Sequence, residues 1–190
     1  FIDNELQVCE RDEHLYSGQF VKSAMNLNRN NINAAIIGGG DGGVARECIS
    51  KGFNLIDWYE LDPEVVEICK KYLSKIGNKV NESNSVKYIW GDAFESIKSV
   101  EDSKYDKIFV DLNDDQYCID LAAKNMKNLK RILKPDGVLT AQVGSQDKKP
   151  KQVKNWISVL NKNFGNSTVD RVYIPSFDCV WNFASSIMKS

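Results

Sequence analysis

The sequence predicts an α/β fold: a mostly parallel sheet with helices on both faces, ending in an antiparallel hairpin. Three observations carry this. Short apolar runs alternate with stretches whose apolar residues recur at helical spacing, the pattern of successive βαβ units. The first of those runs enters a glycine-rich turn, IIGGGDGGVAR at 36–46, and leaves it as a helix. Gly38, Gly40 and Gly43 have the G-x-G-x-x-G spacing of a nucleotide-binding strand–loop–helix unit. The last two runs are joined only by Pro-Ser-Phe-Asp-Cys at 175–179, too short for a crossover helix, so one of them must run antiparallel.

The elements follow in order. Residues 1–9 read as the middle of a hairpin, and the chain begins at Phe1 rather than Met, so further residues are expected upstream. Residues 1–30 are read as a partial N-terminal β-hairpin with a linking helix, and 31–190 as a Rossmann-like catalytic domain. An Asn-rich linker at 26–33 precedes the first core strand, 34–37, and the helix after the glycine loop covers 44–50. The second strand, 55–59, ends at Glu60. Leu61-Asp62-Pro63 then opens a helix at 63–76, with Asp62 as N-cap and Pro63 at the first helical position. Its Val65, Val66, Ile68, Cys69, Tyr72 and Leu73 recur at helical spacing and read as the face packed on the sheet. A third strand at 86–90 leads through Gly91 and Asp92 into a short helix, 93–99. The fourth strand, 107–110, delivers Asp111 and is followed by a helix at 117–133. The fifth, 138–142, ends at Gln142 and precedes a helix at 151–163. Strands 168–173 and 181–187 form the closing hairpin.

Composition narrows the function classes. A chain of 190 residues is one domain with a sizeable core. Its 42% hydrophobic content and net charge of −1 point away from disorder and from a nucleic-acid partner. The apolar runs are far shorter than a membrane span, and no signal peptide is visible. The five cysteines (Cys9, Cys48, Cys69, Cys118, Cys179) are scattered, with no C-x-x-C and only His14 as a histidine partner. That excludes the usual zinc cluster and predicts reduced thiols in a cytoplasmic protein with no metal.

In open α/β sheets the ligand lies at the carboxyl ends of the strands. Here those ends are acidic: Asp41 after the first strand, Glu60 after the second, Asp92 after the third, Asp111 and Asp114 after the fourth. Asp41 is the unusual one. A carboxylate inside the glycine loop would repel a pyrophosphate, which seeks bare amides and the positive helix end. It would attract a sulfonium- or amine-bearing nucleoside; alternatively it caps the following helix. Glu60 stands about twenty residues beyond the loop, where an acidic residue can take both ribose hydroxyls. Four acidic strand ends in succession concentrate cations, so the substrate is expected to be a small polycation or free amine.

These motifs resemble those of the spermidine synthase family of polyamine aminopropyltransferases, along essentially the whole chain. Its glycine motif GGGDGG stands intact at 38–43, its G-D-A at Gly91-Asp92-Ala93 and its D-x-x-D at Asp111 and Asp114. The phrase Glu60-Leu61-Asp62-Pro63 also matches, as does the N-terminal phrase from Gln7 to Tyr16 containing D-E-x-x-Y. A Rossmann-like sheet ending in a hairpin is the layout of class I S-adenosylmethionine-dependent enzymes. The resemblance implies decarboxylated S-adenosylmethionine as co-substrate, with no permanently bound cofactor, and a diamine such as putrescine as acceptor. It implies that Asp41 binds the donor's amine end, Glu60 its ribose, Asp92 and Ala93 its adenine, and that Gln7 helps fix the nucleoside. Tyr16, Asp114, Gln142 and Phe177 would face the acceptor, and Asp111 would be the base. It also implies a homodimer.

The acceptor side departs from the family pattern. Asp115 stands where Pro usually follows D-x-x-D, and Ser17 and Gly18 stand where His or Gln and then Glu are usual. Val143-Gly144-Ser145 lacks the customary Glu, and Phe177 replaces a tyrosine. Asp115 either takes over part of the anchoring or caps the next helix. Three functions therefore stay open: an aminopropyltransferase, a methyltransferase of a small amine, and a non-catalytic polyamine or nucleoside binder.

Overall fold

The computed structural model describes residues 5–25, 32–77 and 79–189. Seven strands form one sheet: β1 (Asn33–Gly38), β2 (Leu55–Glu60), β3 (Val86–Trp90), β4 (Tyr105–Asp111), β5 (Leu133–Ser145), β6 (Thr168–Ile174) and β7 (Cys179–Ile187). Their order is β3-β2-β1-β4-β5-β7-β6. Pairing is parallel from β3 through β5, and β7 runs antiparallel to both β5 and β6. The mostly parallel sheet with a reversed strand in its last hairpin is the fold class expected from the sequence. The chain leaves β1 toward β2 on one side and returns to place β4 on the other. The crevice over the carboxyl ends of β1 and β4 is therefore the topological switch point, where ligands bind in such sheets.

The core explains why the strands read as continuous apolar runs. Successive side chains point to opposite faces, and both faces are covered. Ala35, Ile37, Ile108 and Val110 pack with Ile119, Ala122, Met126 and Leu129 of α6 (Gln116–Ile132) and with Val153, Trp156 and Leu160 of α7 (Pro150–Phe164). On the other face Ala34, Ile36, Ile56, Trp58 and Phe109 pack with Phe20 and Val21 of α1 (Glu13–Ser23) and with Val44, Ala45 and Cys48 of α2 (Gly43–Ser50).

Several boundaries shift by one to three residues, with β4 starting at Tyr105, β5 running on to Ser145 and β7 starting at Cys179, and two differ further. The helix read at 63–76 is two pieces, α3 (Pro63–Tyr72) and α4 (Ser74–Gly77), with Leu73 out of helical conformation. Groups from elsewhere in the fold replace its intrahelical bonds: the Glu10 carboxylate accepts from Lys75 N (3.2 Å) and the Arg46 guanidinium donates to the Ile76 carbonyl (3.2 Å). The fifth strand begins at Leu133 rather than 138, because Leu133 already pairs with Tyr105 before a bulge. Within the hairpin read at 1–9, residues 1–4 lie outside the described residues, Glu5 forms a single bridge, and 6–9 carry no strand. Of the Asn-rich linker, 26–31 also lie outside. Asp62 caps α3 as expected, accepting from Glu64 N (2.9 Å), with Pro63 at the first helical position. The short helix after β3 is α5 (Ala93–Ser96), extended by a 3₁₀ turn at Ile97–Ser99.

Candidate active site

Gly38 pairs with Asp111 across β1 and β4, so the glycine loop and the first Asp of D-x-x-D face each other at the switch point. Gly38 has φ +81°, and a Cβ there would lie 2.3 Å from the Asp111 carbonyl oxygen, so only glycine lets the strands approach this closely. A Cβ on Gly43 would lie 2.0 Å from Glu13 Oε1, which is how α1 can rest against the start of α2. Gly40 sits beside Glu60: a Cβ there would meet Glu60 Oε2 at 3.2 Å.

The acidic side chains converge around this loop. Asp111 Oδ1 accepts a 2.6 Å hydrogen bond from the Tyr16 hydroxyl. Burial, together with the charges of Glu13 and Glu60, pushes the Asp111 carboxyl up to about 6, against the pull of that bond. Burial and the Asp111 charge keep Tyr16 a neutral phenol that donates. Asp41 Oδ1 accepts from Gly43 N (2.7 Å), a capping contact that takes one carboxylate oxygen. Burial, then the Asp111 charge, pushes the Asp41 carboxyl up to about 7. Glu60 Oε1 accepts from Asp62 N (3.1 Å), and burial raises its carboxyl as well. A crevice that holds its carboxylates this unwillingly is one that a cation would relieve.

The other candidates divide. Asp92 caps α5, accepting from Phe94 N (2.7 Å) and Glu95 N (3.3 Å), and Ala93 is buried behind it. Asp114 is buried in the turn between β4 and α6, and a Cβ on Gly144 would come 2.6 Å from its Oδ2. Asp115 is exposed and caps α6 by accepting from Cys118 N (2.8 Å). The Gln142 amide ties β5 to β7 and to the turn after β4: Nε2 donates to the Leu112 carbonyl, and Oε1 accepts from Gly144 N (3.1 Å) and Trp181 Nε1 (3.2 Å). Phe177 contributes a wall, its ring 6.4 Å from Tyr16 and 5.0 Å from Trp181. Gln7 lies in the segment before α1, where it donates to the Glu5 carbonyl (3.4 Å). Among the described residues no hydrogen bond joins it to the crevice.

The D-E-x-x-Y phrase turns out to be a clasp, two of whose members sequence reasoning left without a role. Asp12 accepts from Ser176 N (2.7 Å) and Ser176 Oγ (2.8 Å), holding the tip of the closing hairpin. Glu13 pairs with Arg46 of α2 (2.7 Å) and accepts from the Ser17 hydroxyl. Tyr16, one turn on, meets Asp111. The signal was the i, i+3 spacing of Glu13 and Tyr16, which puts both on one helix face. Trp181 and Lys149 had no such local signal.

The raised carboxyls carry a stability consequence. In the unfolded chain an Asp ionises near 3.9, whereas Asp111 and Asp41 hold their protons to about 6 and about 7 in the fold. Their contribution is therefore fully present below about pH 4 and is lost as pH rises through about 6 to 7. The urea midpoint of the ligand-free protein should fall over that range, and less steeply in Asp41→Asn. Equal slopes in the two proteins would contradict the assignment.

Residues 13–190 match the family model of the spermine/spermidine synthase domain. The chain is similar to a polyamine aminopropyltransferase of Prochlorococcus marinus, 32% identical over 93% of this chain and 64% of that protein. It is equally similar to one of Thermoplasma acidophilum, 32% identical over 96% of this chain and 67% of that protein. The chain thus spans 64% of the length of three of the Prochlorococcus marinus relatives it matches. Among solved structures, a spermidine synthase in complex with the transition-state analogue AdoDATO superposes with a TM-score of 0.88. It shares 21% identity and covers 96% of this chain and 63% of its own. The spermidine synthase of Thermotoga maritima superposes with a TM-score of 0.86 at 22% identity, over 96% and 62%. At these identities the superpositions establish the fold.

Proposed function

The chain belongs to the spermine/spermidine synthase family, and from that membership we propose that it transfers an aminopropyl group from decarboxylated S-adenosylmethionine to a small amine. The observation that carries this reading is Asp111. It is a buried-edge carboxylate at the switch point, held by Tyr16 at 2.6 Å and facing a glycine loop that carries its own carboxylate, Asp41.

The chemistry asks for little else. The acceptor's nitrogen attacks the aminopropyl carbon next to the sulfonium. The carbon–sulfur bond breaks, its electron pair goes to sulfur, and methylthioadenosine leaves. An alkylammonium is protonated at neutral pH and cannot attack. Asp111 accepts that proton, and a carboxylate lifted to about 6 does so more readily than an ordinary one. Alignment of two cations supplies the remainder. In this reading Asp41 faces the donor's ammonium, Glu60 the ribose hydroxyls, and Asp92 and Ala93 the adenine side. Gln7 helps to fix the nucleoside, and Tyr16, Asp114 and Phe177 border the acceptor. Gln142 holds the strand ends that position Asp114. A homodimer is part of the same proposal.

Asp41 also separates this reading from methyl transfer, because it would repel the carboxylate of ordinary S-adenosylmethionine. The decarboxylated donor is expected to bind at least tenfold tighter, about 1.4 kcal/mol or more. Calorimetric titration with both donors tests this. Equal or reversed affinities would move the assignment to a methyltransferase.

A further inference from the structure

Asp114 already has a cation. The Lys149 ammonium lies 3.0 Å from Asp114 Oδ1 and 3.4 Å from Glu5 Oε2. Its position does not follow from the stability of the helix it precedes. Lys149 occupies the N-cap of α7, and its side chain makes no capping hydrogen bond. Ser, Thr, Asp and Asn are preferred there, and the positive helix end disfavours a lysine. Lys149 is nonetheless fixed in place. Its backbone N–H donates to the Ser145 carbonyl (2.8 Å), and the neighbouring Lys148 ammonium donates to the Phe177 carbonyl (2.5 Å), tying the loop after β5 to the closing hairpin. Opposite it, Gly144 leaves Asp114 room that any Cβ would fill.

We propose that Lys149 is a specificity-determining residue that fills, on Asp114, the place an acceptor's second ammonium would take. The inference rests on the reading of the crevice as an amine site. A diamine must displace Lys149 to reach Asp114, whereas an amine with one charge, or with an uncharged far end, need not. The favoured acceptor class is therefore a primary amine whose distal end is neutral, and diamines are handicapped by a cation the protein supplies itself.

The test is calorimetric titration of butane-1,4-diamine and butylamine into the purified protein with methylthioadenosine present, for wild type and Lys149→Met. Lys149→Met should bind the diamine at least tenfold tighter and butylamine less than twofold differently. Lys149→Arg, which keeps the charge, should retain the wild-type ratio, and adding Asp114→Asn to Lys149→Met should remove the gain. A purely structural clasp between Glu5, Lys149 and Asp114 would instead lower Tm and leave the ratio of the two amines unchanged. Unchanged diamine binding in Lys149→Met, equal shifts for both amines, or no amine binding by either protein would each overturn the proposal. Mass spectrometry of the same mixtures with the decarboxylated donor separates the two claims. Tighter diamine binding without any aminopropylated product upholds Lys149 and removes the transfer reading. Product formation with unchanged diamine binding does the reverse.

Discussion

Asp111→Asn is expected to lower kcat by about 10² to 10⁴, the usual worth of a positioned general base. The substitution is nearly isosteric, and an Asn oxygen can still accept the Tyr16 hydrogen bond seen at 2.6 Å, so the crevice should keep its shape. What is lost is the ability to take a proton from the attacking ammonium. The same substitution removes the charge that, after burial, does most to raise the Asp41 carboxyl. Asp41 should then ionise at lower pH, and affinity for methylthioadenosine should be unchanged within a few-fold. Steady-state kinetics with a methylthioadenosine titration check both halves. Near-normal turnover in Asp111→Asn would remove its role as base. Asp114→Asn should act mostly on the KM of a diamine acceptor, whose second ammonium Asp114 would anchor, rather than on kcat.

Arg46→Met is expected to cost about 3–5 kcal/mol of folding stability, the range for removing one partner of a buried ion pair. Glu13 is only 3% exposed in its side chain, and Arg46 is its ion-pair partner at 2.7 Å. Without the guanidinium, Glu13 is left as a buried carboxylate with the Ser17 hydroxyl as its remaining donor among the described residues. The loss should appear as a lower urea midpoint with an unchanged slope. Glu13→Gln added to Arg46→Met should recover part of it, because no unpaired charge then remains. A double variant no more stable than Arg46→Met would show that the guanidinium acts through packing, or through the Ile76 carbonyl it also binds. Since Glu13 and Tyr16 share one face of α1, Arg46→Met should also lower kcat by loosening Tyr16 from Asp111.

The strands were legible because β1, β2 and β4 bury both faces, leaving mostly apolar runs, although β2 carries the buried Asp57 and β4 the buried Asp106 and Lys107. The glycine loop and the acidic strand ends were legible for a related reason: each belongs to one short segment, and the α/β topology brings all carboxyl ends to one edge. The break between α3 and α4 was not legible, since the partners of Lys75 N and of the Ile76 carbonyl in α4 are Glu10 and Arg46, from distant parts of the chain. The clasp was hidden in the same way. Asp12 and Ser176 are 164 positions apart, and Lys149 reaches Asp114 across 35. Asp115 reads as a cap or an anchor in the sequence, and in the fold its carboxylate is engaged by Cys118 N. Gln142, read as an acceptor contact, spends its amide on Leu112, Gly144 and Trp181.

The most direct measurement is mass spectrometry of the protein incubated separately with decarboxylated and ordinary S-adenosylmethionine, each with a panel of monoamines and diamines. Aminopropyl transfer requires methylthioadenosine and an amine heavier by one aminopropyl group, in equal amounts, from the decarboxylated donor alone, with both formed about 10² to 10⁴ times more slowly in Asp111→Asn. A methylated amine and S-adenosylhomocysteine from the ordinary donor, or no product from either donor with any amine, would contradict it.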